Sequence, residues 1–309
     1  MRAIAFGDFG ENPFLAELSV PEPGPGEVLV RIEHSSINGF DLGVLGGYLK
    51  GVYEYEFPVV PGKDFAGTVA ALGAEATGFA VGDAVFGVIM RPTLGQGGWA
   101  EYVCVPADYG IAAVPAGLDA ATAGALGLAG TAAHDAIAAV APAPGETILV
   151  SGATGGVGAV AIQLAAARGA TVIATARPGA EAEFVLGLGA THVVDHTAAV
   201  ADQVRALVPE GVHAAVHLAG DGAVIAELVR AGGRFTSTLH FTPEDSARDI
   251  KATTVMSDPN RETLGRLAAA VVSGDLRLPI ARSYALSDAP AAVADFATGT
   301  LGKLAITIA

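Results

Sequence analysis

Cysteine is almost missing: Cys104 is the only one in 309 residues. An internal disulfide and any zinc site built from several thiolates are therefore excluded. Basic residues are also scarce, with 17 Lys and Arg against 32 Asp and Glu, a net charge of −15 at pH 7 and an isoelectric point near 4.7. The resulting negative field opposes binding to polyanions and anionic lipid, so neither nucleic acid nor a membrane surface is expected as a partner. No G-x-S-x-G elbow and no G-x-x-x-x-G-K-[ST] loop occurs, which removes the hydrolase and kinase readings.

Mean hydropathy is high at +0.49, but the apolar content is largely Ala and Val interspersed with 41 Gly. No stretch is expected to span a bilayer. The nearest candidate, Asp119 to Val140, carries His134 and Asp135 and is dominated by Gly and Ala, which suits a buried helix. The opening MRAIAFGDFGENP has too short an apolar run for a signal peptide, and a cytoplasmic location is expected.

What is present falls into two textures. Up to about Gly117, short alternating runs such as VLVRIEHSSI (Val28 to Ile37), GTVAALG, VGDAVFGV and WAEYVCVPA are separated by Gly and Pro, the pattern of strands and tight turns. From Leu118, apolar bursts alternate with Ala-rich helical segments, as in βα units on a parallel sheet. The bursts TILVS, TVIAT, THVVD, AAVHL, GRFTS and KATTV begin near Thr147, Thr171, Thr191, Ala214, Gly233 and Lys251. Helices are predicted between most of them, at Val157 to Arg168 and Ala223 to Arg230 for example. After Asn260 a helix, RETLGRLAAAVVSG, leads to LRLPI and a closing strand, LAITIA, expected to rejoin the first domain. The fold class is α/β, with a mostly β domain over 1–117 and 260–309 and a doubly wound domain over 118–259.

The strongest motif is ILVSGATGGVGAVAIQLAAARGA, Ile148 to Ala170. A strand runs into Gly152, Gly155, Gly156 and Gly158 and then directly into an Ala-rich helix. Small residues let the backbone turn sharply and approach a pyrophosphate, and the helix N-terminus supplies free N–H groups and partial positive charge. The second strand, TVIATARPGA, bears on which dinucleotide fits. An NAD site places an acid at the end of this strand, whereas an NADP site offers Arg. Here the strand ends Thr175, Ala176, Arg177 with no acid until Glu181, so NADPH is favoured.

Taken in order, PGKDFAGTVAALG (Pro61 to Gly73), VGDAVFG (Val81 to Gly87), GGWAEYVCVP (Gly97 to Pro106), SGATGGVGAVAIQLA and GKLAITI resemble the medium-chain dehydrogenase/reductase superfamily. Within it the chain is similar to the zinc-free quinone oxidoreductase branch, the ζ-crystallin-like enzymes. The resemblance implies a GroES-like domain joined to a Rossmann domain. Zinc members carry a Cys three residues before an Asp, and later Gly-His-Glu. The matching segments here read Asn38-Gly39-Phe40-Asp41 and Gly62-Lys63-Asp64, so Asn and Lys stand where two ligands would be and no metal site is expected.

Without zinc to polarise a carbonyl, the expected chemistry is hydride delivery to a carbon that is already electrophilic: a quinone, or the β-carbon of an enone or enoyl thioester. The resemblance places Asn38 near the nicotinamide, with Tyr48 as a candidate proton donor and Tyr53 and Tyr55 as alternatives close by. It places Thr154, Gly155, Gly156 and Val157 at the pyrophosphate, and Thr175 and Arg177 at the 2′-phosphate. His196 stands there in place of the Tyr of relatives. Leu218, Ala219, Thr236 and Ser237 end the fourth and fifth strands beside the cofactor, and Thr131 and Lys303 complete the set. Relatives dimerise through edge strands, so a homodimer paired through KATTV is expected.

The alternatives are a pathway-specific enoyl reductase whose pocket is shaped by Tyr48 to Phe57, and a cofactor-binding protein that has lost turnover. His192 with His196 and His213 with His217 have metal-like spacing but overlap strands. Cys104 reads as a buried small hydrophobe.

Overall fold

The computed structural model describes residues 1–243 and 249–308. Its elements run β1 (Arg2–Ala5), β2 (Phe14–Glu17), β3 (Glu27–Ser36), α1 (Gly39–Leu45), β4 (Glu54–Tyr55), β5 (Asp64–Leu72), β6 (Ala84–Val88), β7 (Thr93–Leu94), β8 (Tyr102–Pro106), β9 (Ile111–Ala113) and α2 (Ala120–Val140). There follow β10 (Thr147–Ser151), α3 (Gly156–Ala167), β11 (Thr171–Thr175), α4 (Ala180–Leu186), β12 (His192–Val194), α5 (Val200–Leu207), β13 (Val212–His217), α6 (Gly222–Ala226), β14 (Val229–Ser237) and β15 (Lys251–Thr254). The chain closes with α7 (Arg261–Ser273), β16 (Ile280–Ala285), α8 (Ala289–Ala297) and β17 (Lys303–Thr307). Two compact units result, Met1–Thr131 with Asp258–Ala309, and Ala132–Ser257.

The first unit is built on a seven-stranded sheet, ordered β16-β17-β3-β5-β6-β9 with β8 also paired to β3. The alternation read in the sequence packs it: Val28, Val30 and Ile32 of β3 are fully buried, in one cluster with Phe65, Val69, Val85 and Trp99. The closing strand does return to this unit, with Ala305 opposite Ser36 and Thr307 opposite His34. That register brings Lys303 to the C-terminal end of β3, the end at which the candidate site lies.

The second unit holds a six-stranded sheet, ordered β12-β11-β10-β13-β14-β15, with every neighbouring pair parallel. All six bursts read in the sequence are strands of it. Because β10 lies inside the sheet, the winding reverses between β10 and β13, and the C-terminal ends of those two strands form the switch point where open parallel sheets bind ligands.

Two expectations need correction. The helix predicted over Ala223 to Arg230 stops at Ala226. The Val212 N–H donates to the Leu228 carbonyl and Val212 faces Val229 in register, so pairing takes a β-branched, fully buried Val229 out of the helix. The segment Tyr48 to Phe57 is more than a connecting loop, because Glu54 and Tyr55 pair in parallel with Thr93 and Leu94. Helix α2, with 21 residues, passes the length and composition of a bilayer helix, but 72% of its apolar window is buried within the fold, in line with the buried helix expected over this stretch.

Candidate functional site

In the first unit a buried polar cluster forms where β3 ends, α1 begins and β5 starts. The Asp64 carboxylate accepts from Ser36 Oγ at 2.5 Å, Asn38 Nδ2 at 2.9 Å and the Leu128 N–H at 2.7 Å. Lys303 Nζ lies 3.4 Å from Asp64 Oδ2 and donates to Asn38 Oδ1 at 2.5 Å and to the Ile37 carbonyl at 2.9 Å. Asp64 is fully buried and Lys303 is 2% exposed, so the pair persists only because its lone pairs and protons are taken up this completely. Gly127 makes room for it: a Cβ there would stand 2.9 Å from Asp64 Oδ1. Burial pushes the Lys303 ammonium pKa down, against the pull of Asp64 and Asp41.

Asp41 and Lys63 border this cluster. Asp41 Oδ2 accepts from the Asn38 N–H at 2.8 Å, while its buried Oδ1 has no hydrogen-bond partner among the described residues. Burial raises Asp41 to about 7, with the Asn38 hydrogen bond opposing. The Lys63 ammonium donates to the Ile89 carbonyl and lies 4.8 Å from the Phe40 ring centroid. Burial lowers it to about 8, against the carboxylates of Asp41 and Asp64. Both side chains line a cavity of about 20 Å³ with Phe40, Val59, Leu94 and Gln96.

The other candidates in this unit have surroundings of their own. Tyr48 is 83% exposed, its ring lying over Gly46. Tyr53 packs edge-on against Phe40, and Tyr55 packs edge-on against Phe9 and stacks on Phe57, so these two rings are packing residues. Thr131 is buried in α2, where its hydroxyl donates back to the Gly127 carbonyl at 2.7 Å. Cys104 is buried, and burial raises its thiol to about 11, as for an inert small hydrophobe.

In the second unit the glycine motif turns from β10 into α3 at the switch point. Gly152 adopts φ +69°, and a Cβ on Gly158 would sit 2.4 Å from the Gly152 carbonyl oxygen, so strand and helix approach as only glycine permits. Gly155 caps α3, and a Cβ there would meet nothing nearer than 3.7 Å. Gly156 and Val157 thus offer first N–H groups of a twelve-residue helix to an anion, while the Gly155 N–H is taken by the Gly152 carbonyl at 3.3 Å. Thr175 is 4% exposed and its hydroxyl accepts from the Gly152 N–H at 3.0 Å, which ties the end of β11 to this turn. Leu218, just past β13, donates to Ser151 Oγ at 3.3 Å, and Ala219 is among the atoms closest to Gly152. Thr236 is buried and bonded to the Thr253 carbonyl at 2.9 Å, while Ser237 ends β14.

Arg177 and His196 are joined in space by Glu181, the first acid after the strand. Glu181 takes Arg177 Nε at 2.7 Å and stands 3.2 Å from His196 Nε2.

Residues 24–116 match the alcohol dehydrogenase GroES-like domain and residues 156–241 the zinc-binding dehydrogenase family. The chain is 30% identical to the quinone oxidoreductase of Lama guanicoe over all of its own length and 98% of the relative's. The chain belongs to the medium-chain dehydrogenase/reductase superfamily, as a quinone oxidoreductase-like member. It is 35% identical to the chloroplastic quinone-oxidoreductase homolog of Spinacia oleracea over 63% of its own length, and spans 61% of that relative's length. The solved quinone oxidoreductase of Coxiella burnetii superposes with a TM-score of 0.89 at 28% identity, covering 100% of this chain and 99% of that one.

Membership in this superfamily implies a nicotinamide dinucleotide, and the glycine turn fits one: a close strand-to-helix approach, an open Gly155 and free helix N–H groups at the switch point. The zinc implied by other members does not fit. At the two ligand positions Asn38 has both ends of its amide engaged and Lys63 presents a cation, neither of which suits Zn²⁺. Sequence reading weighs His217 only as half of a metal-like pair with His213 and sets it aside. It is 2% exposed at the end of β13, its Nε2–H donating to the Gly220 carbonyl at 3.1 Å and its Nδ1 lying 3.0 Å from Ser237 Oγ. The stretch VVDHT drew attention to His196, but nothing in AAVHL distinguishes a strand-end imidazole from a core one.

Proposed function

We propose that the chain reduces quinones and other α,β-unsaturated carbonyl compounds with NADPH, without zinc. The observation that carries this reading is the donor set at the former ligand positions: an amide locked between Asp64 and Lys303, and a buried ammonium. With no Lewis acid to polarise an unactivated carbonyl, the acceptor must carry its own conjugation. When bound, the nicotinamide supplies a hydride. The chain's part is to hold and orient. The α3 N-terminus takes the pyrophosphate, and Asn38 has one Nδ2 proton on Asp64 and a second to offer a carbonyl oxygen. Lys303 and Asp64 prevent that amide from rotating. The proton that completes reduction comes from water, because Tyr48 stands in solvent.

NADPH is supported by Arg177 following β11, with no acid at the strand end itself. A homodimer is proposed through the free edge of β15, and light scattering on the purified chain measures it. The deciding assay follows NADPH and NADH consumption with simple quinones, enones, enoyl thioesters and a plain aldehyde. Turnover of conjugated acceptors alone supports the reading, and turnover of aldehyde overturns it. Tight binding without any turnover assigns a non-catalytic role.

A further inference from the structure

The end of β11 carries a small charge cluster that is not legible from residue spacing. Glu181, on α4, holds Arg177 through three contacts: the Arg177 N–H at 2.7 Å, Nε at 2.7 Å and Nη2 at 2.5 Å. Oε1 takes both guanidinium nitrogens, while Oε2, which accepts the Arg177 N–H, also faces His196 Nε2 at 3.2 Å. Asp195 adds a second acid, its carboxylate accepting from the Thr197 N–H and hydroxyl at 2.8 and 2.7 Å. Burial pushes the Glu181 carboxyl up, but hydrogen bonds from Arg177 and His196 outweigh it and leave the group below its ordinary range, hence ionised at neutral pH. Arg177 thus stands as one cation against the two carboxylates of Glu181 and Asp195.

This arrangement bears on the two dinucleotides in opposite ways. A 2′-phosphate is a dianion that seeks the guanidinium fork, and here a carboxylate already fills that fork. To bind, the phosphate must displace or share Glu181 and lie near Asp195. A 2′-hydroxyl, in contrast, is a donor that a carboxylate accepts. Resting on the reading that a nicotinamide dinucleotide binds at the glycine turn, we infer that Glu181 sets the ratio of NADPH to NADH affinity by occupying Arg177. The preference for NADPH that Arg177 supports is then weakened, and not reversed, by the carboxylate four residues on.

The test is direct titration of the full chain with NADPH and with NADH, read by calorimetry or nicotinamide fluorescence, for wild type, Glu181→Gln, Arg177→Gln and the double variant. Glu181→Gln is expected to raise the preference for NADPH about five- to tenfold, the size of one charge-assisted contact regained. Arg177→Gln lowers that preference, and in the double variant the gain disappears because it acts through Arg177. If wild type binds dinucleotide but the ratio moves less than twofold in Glu181→Gln, the inference is wrong while the dinucleotide reading stands. If wild type binds neither dinucleotide, both fall.

Discussion

Lys303 Nζ donates to Asn38 Oδ1 at 2.5 Å, joining the first residue of the last strand to the residue that caps α1. The same ammonium is 3.4 Å from Asp64, which is fully buried. Lys303→Met removes the counter-charge and one end of the Asn38 amide clamp. It is expected to cost about 3–5 kcal/mol, as for a buried pair broken on one side. Lys303→Met with Asp64→Asn should recover at least half of that loss, because no unpaired charge remains. Urea unfolding of the two singles and the double measures it, and simple additivity would show that the two groups do not act as a pair.

The pH dependence of stability follows from Asp41 and Lys63. Asp41 has its pKa raised from 3.8 to about 7 in the fold. Between those values the native state keeps a proton that the unfolded chain has lost, so this contribution is full below about pH 4 and is lost as pH rises through 7. Lys63 has its pKa lowered from 10.5 to about 8. Its penalty is therefore full below pH 8 and is relieved as pH rises toward 10.5. Asp41→Asn should match wild type near pH 4 and exceed it at pH 7.5 by on the order of 4 kcal/mol. An advantage of equal size at both pH values would assign the effect to packing.

Much of this fold could be read from local pattern. The Gly152 to Gly158 turn has its strand before and its helix after, and bursts such as TILVS and TVIAT carry the apolar runs of central strands buried on both faces. What could not be read is long-range pairing. Asp64 and Lys303 lie 239 residues apart and neither is unusual where it stands. Glu181, only four residues from Arg177, reads as a distant acid until α4 turns its carboxylate back onto the strand end. Helix α6 was over-extended because helix propensity through Leu228 carries no sign of the sheet that claims Val229.

The glycines of the turn separate binding from folding. A Cβ on Gly158 meets the Gly152 carbonyl oxygen at 2.4 Å, whereas one on Gly155 finds only ordinary contact at 3.7 Å. Gly158→Ala is expected to lower both the melting temperature and dinucleotide affinity. Gly155→Ala should leave the melting temperature of the free protein within a degree or two. It places a methyl group at the helix terminus that receives the pyrophosphate, and a tenfold or greater loss of affinity is expected. Thermal shift with and without NADPH distinguishes the two, and full binding by Gly155→Ala would move the phosphate site elsewhere.

Tyr48 tests where the proton comes from. Its ring is 83% exposed, whereas Asn38, Asp64 and Lys303 are buried. A phenol in bulk solvent competes with water for the same proton transfer and has no fixed geometry to favour it. Tyr48→Phe should therefore change kcat less than about threefold, a small fraction of the 10²–10⁴ typical for loss of a positioned acid, and should leave the solvent isotope effect unchanged. Asn38→Ala removes the clamped amide and its free N–H, and is expected to lower kcat/KM by two orders of magnitude or more, as for one lost donor at a developing negative charge. If the two variants exchange these effects, catalysis runs through the exposed tyrosine and the buried amide is only structural.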